Sequence, residues 1–227
     1  MDAEVKTRPE VGTPYGRLVA IRATSLMQRL LTLDDLWTEE LERMASGEPV
    51  PDSDIEVLGQ LVSDMQRGLE ELPDAAYELR LMLDELGPER FDQILDAFGD
   101  RDKVPWDVRE TLAEMLPDYE PQSAAIAACD YIRETAPSEA ALLTEKLETI
   151  RRGEATPGDF LMPFRCAGYL LGIGSTVAAG AIAVVAGGPV APAALGLVYP
   201  AISFIEDWRE RGCRVELPTI SFQRRAA

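Results

Sequence analysis

The amino-acid sequence predicts an all-α protein, a bundle of about eight amphipathic helices followed by an apolar, Gly/Ala-rich helical hairpin. Three observations carry that expectation. Apolar residues recur at three- and four-residue intervals from Pro14 onward, the spacing of one helix face. Pro and Gly punctuate the pattern, and no window alternates as a strand does, except the short runs 213–217 and 219–222. Residues 166–205 form 40 consecutive positions without a charge, in a chain of which 27% is charged.

Residues 1–13 read as a flexible lead-in. A helical pattern then starts with Leu18, Ile21, Leu30 and Leu31, breaks over residues 32–34, and resumes through Leu36, Trp37, Leu41 and Met44. Ser46-Gly47-Glu48-Pro49 closes that unit. Ile55, Leu58, Leu61, Val62, Met65, Leu69 and Leu72 define one buried helix face. Pro73 is expected to end this helix and open another through Leu79, Met82, Leu83 and Leu86. Gly87-Pro88 precedes a short helix with Phe91, Ile94, Leu95 and Phe98. Pro105 and Pro121 each suit the first turn of a further helix, where a missing N–H removes no bond. Pro137 is read as the start of the last bundle helix, which ends at Arg151-Arg152-Gly153. The acidic helical bundle thus covers residues 14–153.

The apolar hairpin is placed at residues 161–208, with Gly188, Pro189 and Pro192 at its turn. Its first arm, residues 166–186, has 21 residues, roughly 31 Å as a helix and enough for a hydrocarbon core. The second, residues 190–205, is shorter and interrupted by Pro200. Small residues recur at every fourth position: Gly168, Gly172, Thr176 and Gly180 on one row, Ser175, Ala179, Ala183 and Gly187 on another. Such rows allow close helix packing, in lipid or in a protein core. Arg165, Trp208, Arg209 and Arg211 would form interfacial anchors at the two bases, holding both ends on the cytoplasmic side. Gly, Ala, Ser and Thr gain little from lipid, so insertion of the first arm is close to break-even. A weakly basic tail, residues 209–227, completes the chain.

The net charge of −18 is unevenly placed. Residues 1–160 carry 16 Lys+Arg against 36 Asp+Glu, whereas residues 161–227 carry 6 against 4. Nucleic-acid phosphates and anionic lipid headgroups repel the acidic part, so no nucleic-acid partner is expected, and a basic protein partner is compatible. The chain has no histidine, which removes the commonest general base and most nucleophile pairs. No phosphate-binding loop occurs, and Gly172-Ile173-Gly174 lacks a dinucleotide spacing and reads as helix packing. Asp34, Asp35, Glu39 and Glu40 read as helix-end solvation, and Asp92, Asp96 and Asp100 lack the ligand spacing of a calcium loop. Cys129, Cys166 and Cys213 fit neither a disulfide framework nor a zinc site. No catalytic residue, cofactor or metal is assigned, and the chain is not expected to be an enzyme. The N-terminus lacks a secretory signal, so a cytoplasmic start is expected.

In layout, though not in residues, the stretch 14–208 resembles bacterial pore-forming colicin domains and Bcl-2-type bundles, in which amphipathic helices sheathe an apolar hairpin. That resemblance implies a membrane-perturbing protein, a toxin or defence effector, whose hairpin inserts in lipid and self-associates through the Gly168 row. Two alternatives stand beside it: a permanently hairpin-anchored scaffold presenting the acidic bundle on the cytoplasmic side of a membrane, and a soluble interaction protein whose hairpin is core.

Overall fold

The computed structural model describes residues 10, 13–44, 52–98, 111, 114, 116, 120–152, 162–185 and 205. Among them are five helices and no strand: α1 (Pro14–Met44), α2 (Asp52–Leu86), α3 (Pro88–Phe98), α4 (Pro121–Arg151) and α5 (Met162–Val185). Among the described residues the all-α expectation is met. Three expected interruptions are absent, so the described helices are fewer and longer than the eight expected.

Each missing break has a physical cause. Across residues 32–34, Thr32 Oγ1 donates to Gln28 O at 2.9 Å and Thr38 Oγ1 to Asp34 O at 2.9 Å. These hydroxyls bond the preceding turn instead of competing for a turn of their own, and α1 runs on. Pro73 lies inside α2 and Pro137 inside α4. An interior proline costs about 3 kcal/mol. Around Pro73 the buried stripe Leu69, Leu72, Ala75, Ala76 and Leu79 is continuous, and a fully buried Leu stabilises by roughly 1.5–3 kcal/mol. One core therefore holds both halves of α2 in a single helix. In α4 the same holds for Ile132, Ala136, Leu143 and Leu147.

The ends follow local chemistry. Thr13 caps α1: its Oγ1 accepts the Gly16 N–H at 3.0 Å and donates to Glu10 O at 2.8 Å, with Pro14 at the first helical position. Gly87, at φ 76°, ends α2 with its N–H on Leu83 O at 3.3 Å. Pro88 and Pro121 open α3 and α4 as expected. Of the helix expected from Pro105, Thr111 and Glu114 are described and helical. The possible strands near the C-terminus lie outside the described residues.

The helices form a ring in which α1 and α4 each lie against both α2 and α5. The helices α2 and α5 meet across its middle, and α3 leans on α5 and α4. One core joins all five, from Val19 and Met27 through Leu58 and Met82 to Leu171 and Val177. The face of α1 matches the expected one at Leu30, Leu31 and Trp37, which are buried, and differs elsewhere. Val19, Ala20, Ala23 and Met27 are buried, while Leu18, Ile21 and Leu36 are exposed. Alanines bring the α1 backbone close to its neighbours, and the larger Leu18 and Ile21 are turned outward.

Candidate functional site

The enclosed apolar helix α5 is the feature that sets this fold apart. Phe164 and every residue from 166 to 179 are buried. A helix apolar on all sides must be surrounded on all sides, and α1, α2, α3 and α4 all touch it. The buried Ile205, within the second expected arm, joins the same core. No charge occurs from residue 166 to 205, so α5 beyond Arg165 offers no charge of its own for an ion pair with the surrounding helices.

Of the predicted packing residues, Gly168, Gly172 and Thr176 are buried in α5. Gly168 faces α1 so closely that a Cβ there would overlap the terminal methyl of Met27. The carbonyl of Gly172 accepts two hydroxyls, Ser175 Oγ and Thr176 Oγ1, each at 2.8 Å. Gly180 and Ala183 lie within α5, as does Arg165. Gly187, Gly188, Pro189, Pro192, Trp208, Arg209 and Arg211 fall outside the described residues, so the turn and three of the four anchors do too.

Gly174 belongs to neither predicted row. A Cβ there would lie 2.9 Å from Ala125 Cβ and 3.1 Å from Leu83 Cδ1, so Gly174 sets the approach of α5 to α4 and α2. Its sequence signal was the Gly172-Ile173-Gly174 pair, read as helix packing. On the α1 side, Thr24 Oγ1 and Ser175 Oγ form a 2.5 Å hydrogen bond across the seam.

The other seams are stitched with charge and amide groups. Arg29 meets Asp64 at 3.5 Å between α1 and α2, and Arg80 Nε meets Asp130 at 3.0 Å between α2 and α4. Burial works against the charge on Arg80, but bonds to Asp130 and Asp84 outweigh it and hold the guanidinium above its usual range. Gln66 Nε2 reaches Ala140 O at 3.0 Å and Thr144 Oγ1 at 2.6 Å, and the Arg133 guanidinium stands 5.1 Å over the Tyr77 ring. Exposed pairs of this kind each contribute ~1 kcal/mol or less. They give α1, α2 and α4 ionic links for which α5 beyond Arg165 has no charge.

Asp34, Glu139 and Lys146 bring charged groups together within this frame. Asp34 is buried. Burial holds Lys146 below its usual range, partly offset by the carboxylates of Asp34 and Glu139. Burial likewise raises Glu139, with Lys146 opposing. Among the described residues no group of three potential ligands could hold a metal. Buried Trp37 has an Nε1 with no hydrogen-bond partner among them. Cys129 is a free thiol whose pKa is pushed up by complete burial. Cys166 is disulfide-bonded, a departure from the expectation that the cysteines form no disulfide.

Among the described residues, no helix is long and apolar enough to cross a membrane. The centre of α5 is diluted by Gly172, Gly174, Ser175 and Thr176. Comparison with family models, curated proteins and solved structures gives no match.

Proposed function

We propose that this chain is a membrane-perturbing helical protein that stores an apolar hairpin inside an acidic bundle and releases it into lipid. The observation that carries the proposal is the contrast at α5. The 40-residue charge-free stretch begins in a helix enclosed by four others, in a chain of net charge −18. Ion pairs and amide bonds join α1 to α2 and α2 to α4, whereas α5 beyond Arg165 has no charge with which to pair. Release then separates α5 from its neighbours without breaking those ionic links. The insertion-competent unit is the whole hairpin, 161–208, because its first arm alone gains little from lipid. In lipid, the face of Gly168 that Met27 occupies becomes free for a second copy.

The test is dye release from phosphatidylglycerol vesicles, run from neutral to acidic pH. The Thr24→Cys, Ser175→Cys pair supplies a reversible lock, since the two hydroxyls already stand 2.5 Å apart. Oxidation of that pair is expected to cut release about tenfold, the effect of ~1.4 kcal/mol. Reductant is expected to restore it, with wild type treated in parallel. Absence of release by wild type under every condition would refute the proposal.

A second reading, a soluble interaction protein with the hairpin as core, draws on the lack of a helix apolar enough to span a membrane among the described residues. It predicts intact vesicles throughout. A permanently anchored scaffold, with Phe164 and residues 166–179 enclosed by protein, draws no support from this packing.

A further inference from the structure

We infer that Cys166 is paired with Cys213 in a disulfide that clasps the base of the charge-free stretch, and that its reduction loosens the seat of α5. The inference stands whether α5 passes into lipid or stays as core.

The pairing follows by elimination. The sequence holds three cysteines, Cys129, Cys166 and Cys213. Cys129 is a free thiol, whereas Cys166 is disulfide-bonded. Within one chain Cys213 is the remaining partner. Exchange with Cys129 is disfavoured, because complete burial opposes ionisation of that thiol, and the thiolate is the species that attacks a disulfide. The course of the chain agrees with the pairing. Ile205, eight positions before Cys213, is buried in the core that α5 shares.

Place gives the bond its consequence. Cys166 stands near the start of α5, next to Arg165, and opens the charge-free run. Cys213 follows the end of that run, 47 positions beyond Cys166. The bond therefore closes a loop that contains the whole uncharged stretch. Ion pairs such as Arg29–Asp64 and Arg80–Asp130 join α1 to α2 and α2 to α4, and α5 beyond Arg165 has no charge for such a pair. A covalent bond at the start of α5 supplies a link of another kind. Cross-linking favours the folded state by restricting the unfolded chain, more so for longer loops. Here the restricted loop is the uncharged stretch itself.

The bond is shielded and reversible. Cys166 is 8% exposed, so a thiolate reaches its sulfur freely only when the start of α5 opens. A small dithiol reduces the bond in two exchanges. Its first thiolate attacks one sulfur and displaces the other cysteine, which takes up a proton. Its second thiol then displaces the remaining cysteine and closes the dithiol into its own disulfide. Two electrons and two protons have passed to the chain, leaving Cys166 and Cys213 as thiols. Disulfides persist in oxidising compartments and are rare where a thiol pool keeps cysteines reduced. The compartment therefore sets how firmly α5 is held.

The experiment equilibrates the full chain with a glutathione redox buffer, alkylates it in denaturant and digests it without reductant. Mass spectrometry is expected to find alkylated Cys129 and one cross-linked peptide joining Cys166 to Cys213. Dithiothreitol is expected to lower the thermal midpoint by about 5–15 °C. It is also expected to speed hydrogen exchange in α5 at least about tenfold more than in α2. Cys213→Ser is expected to reproduce the reduced values and to be indifferent to the dithiol. Reduced wild type gives the same reading where that variant does not fold. Alkylation of all three cysteines, or a cross-linked peptide containing Cys129, would overturn the pairing. A midpoint unmoved by reduction, or exchange accelerated equally in α2 and α5, would overturn control of α5. Vesicle leakage enters neither reading, so the membrane proposal and this one stand or fall separately.

Discussion

The hydroxyls of Thr24 in α1 and Ser175 in α5 stand 2.5 Å apart, and each also has a carbonyl of its own helix within reach. Thr24 Oγ1 lies 3.0 Å from Ala20 O, and Ser175 Oγ lies 2.8 Å from Gly172 O. Two protons serve three possible bonds, so one hydroxyl donates across the seam while the other donates to its own backbone. Losing either hydroxyl leaves the survivor with its carbonyl. Thr24→Val and Ser175→Ala are each expected to cost about 0.5–1.5 kcal/mol in a denaturant melt. The double variant is expected to cost little more than one single variant. Simple additivity would show that the pair is uncoupled.

The two described glycines of α5 with mapped neighbours are expected to respond differently to Ala. At Gly174 the new methyl meets Ala125 Cβ at 2.9 Å, a group with no rotamer by which to move aside. Overpacking of that kind costs about 1–3 kcal/mol. At Gly168 the obstacle is the flexible end of Met27, and Ala gains up to ~1 kcal/mol of helix propensity over Gly. Gly174→Ala is expected to lower the midpoint of unfolding clearly, and Gly168→Ala only slightly. The reverse order would show that Met27 has no room to turn.

Glu139 gives a pH-dependent test. Burial raises its pKa, with Lys146 opposing, so its stabilising contribution is complete below the ordinary carboxylate range. That contribution is lost as pH rises through the elevated folded value. At neutral pH the ionised Glu139 therefore costs stability. Glu139→Gln is expected to be more stable there by up to about 1 kcal/mol after allowance for solvent screening, with the gain vanishing in acid. Melts across this pH range check it, and a gain that grows in acid would contradict the assignment.

Gln122 is a buried brace between helix ends. Its Nε2 donates to Leu83 O at 2.6 Å, near the point where Gly87 ends α2. Gln122→Leu removes that donor, and the expected loss is about 1–2 kcal/mol. Hydrogen exchange at the C-terminal turn of α2 is expected to accelerate in the same variant. Unchanged protection there would place the cost elsewhere.

The face of α2 was legible in sequence because Leu58, Val62, Met65, Leu69 and Leu72 are large, regularly spaced and core-facing. The face of α1 was legible only in part: Leu30, Leu31 and Trp37 are core as expected, but nearer its start the chain buries Ala20 and Ala23 for close approach and leaves Leu18 and Ile21 outside. Pro73 and Pro137 misled for a related reason: local propensity marks a break that a shared core overrides. At the candidate site, Gly168 was readable from its four-residue row. Gly174 was not assigned to a row, because its partner surface, Ala125 and Leu83, comes from distant parts of the chain.

The carbonyl of Gly172, with Ser175 and Thr176 both bonded to it, bears on what α5 can become. Polar atoms usually tie a buried segment to the particular neighbours that satisfy them. Here both hydroxyls can be satisfied within one turn of the same helix, and no residue of the charge-free stretch around them carries a charge. Such a segment is portable: it can exchange one water-free setting for another with these bonds intact, and the Thr24 contact is the polar tether it must give up on the α1 side.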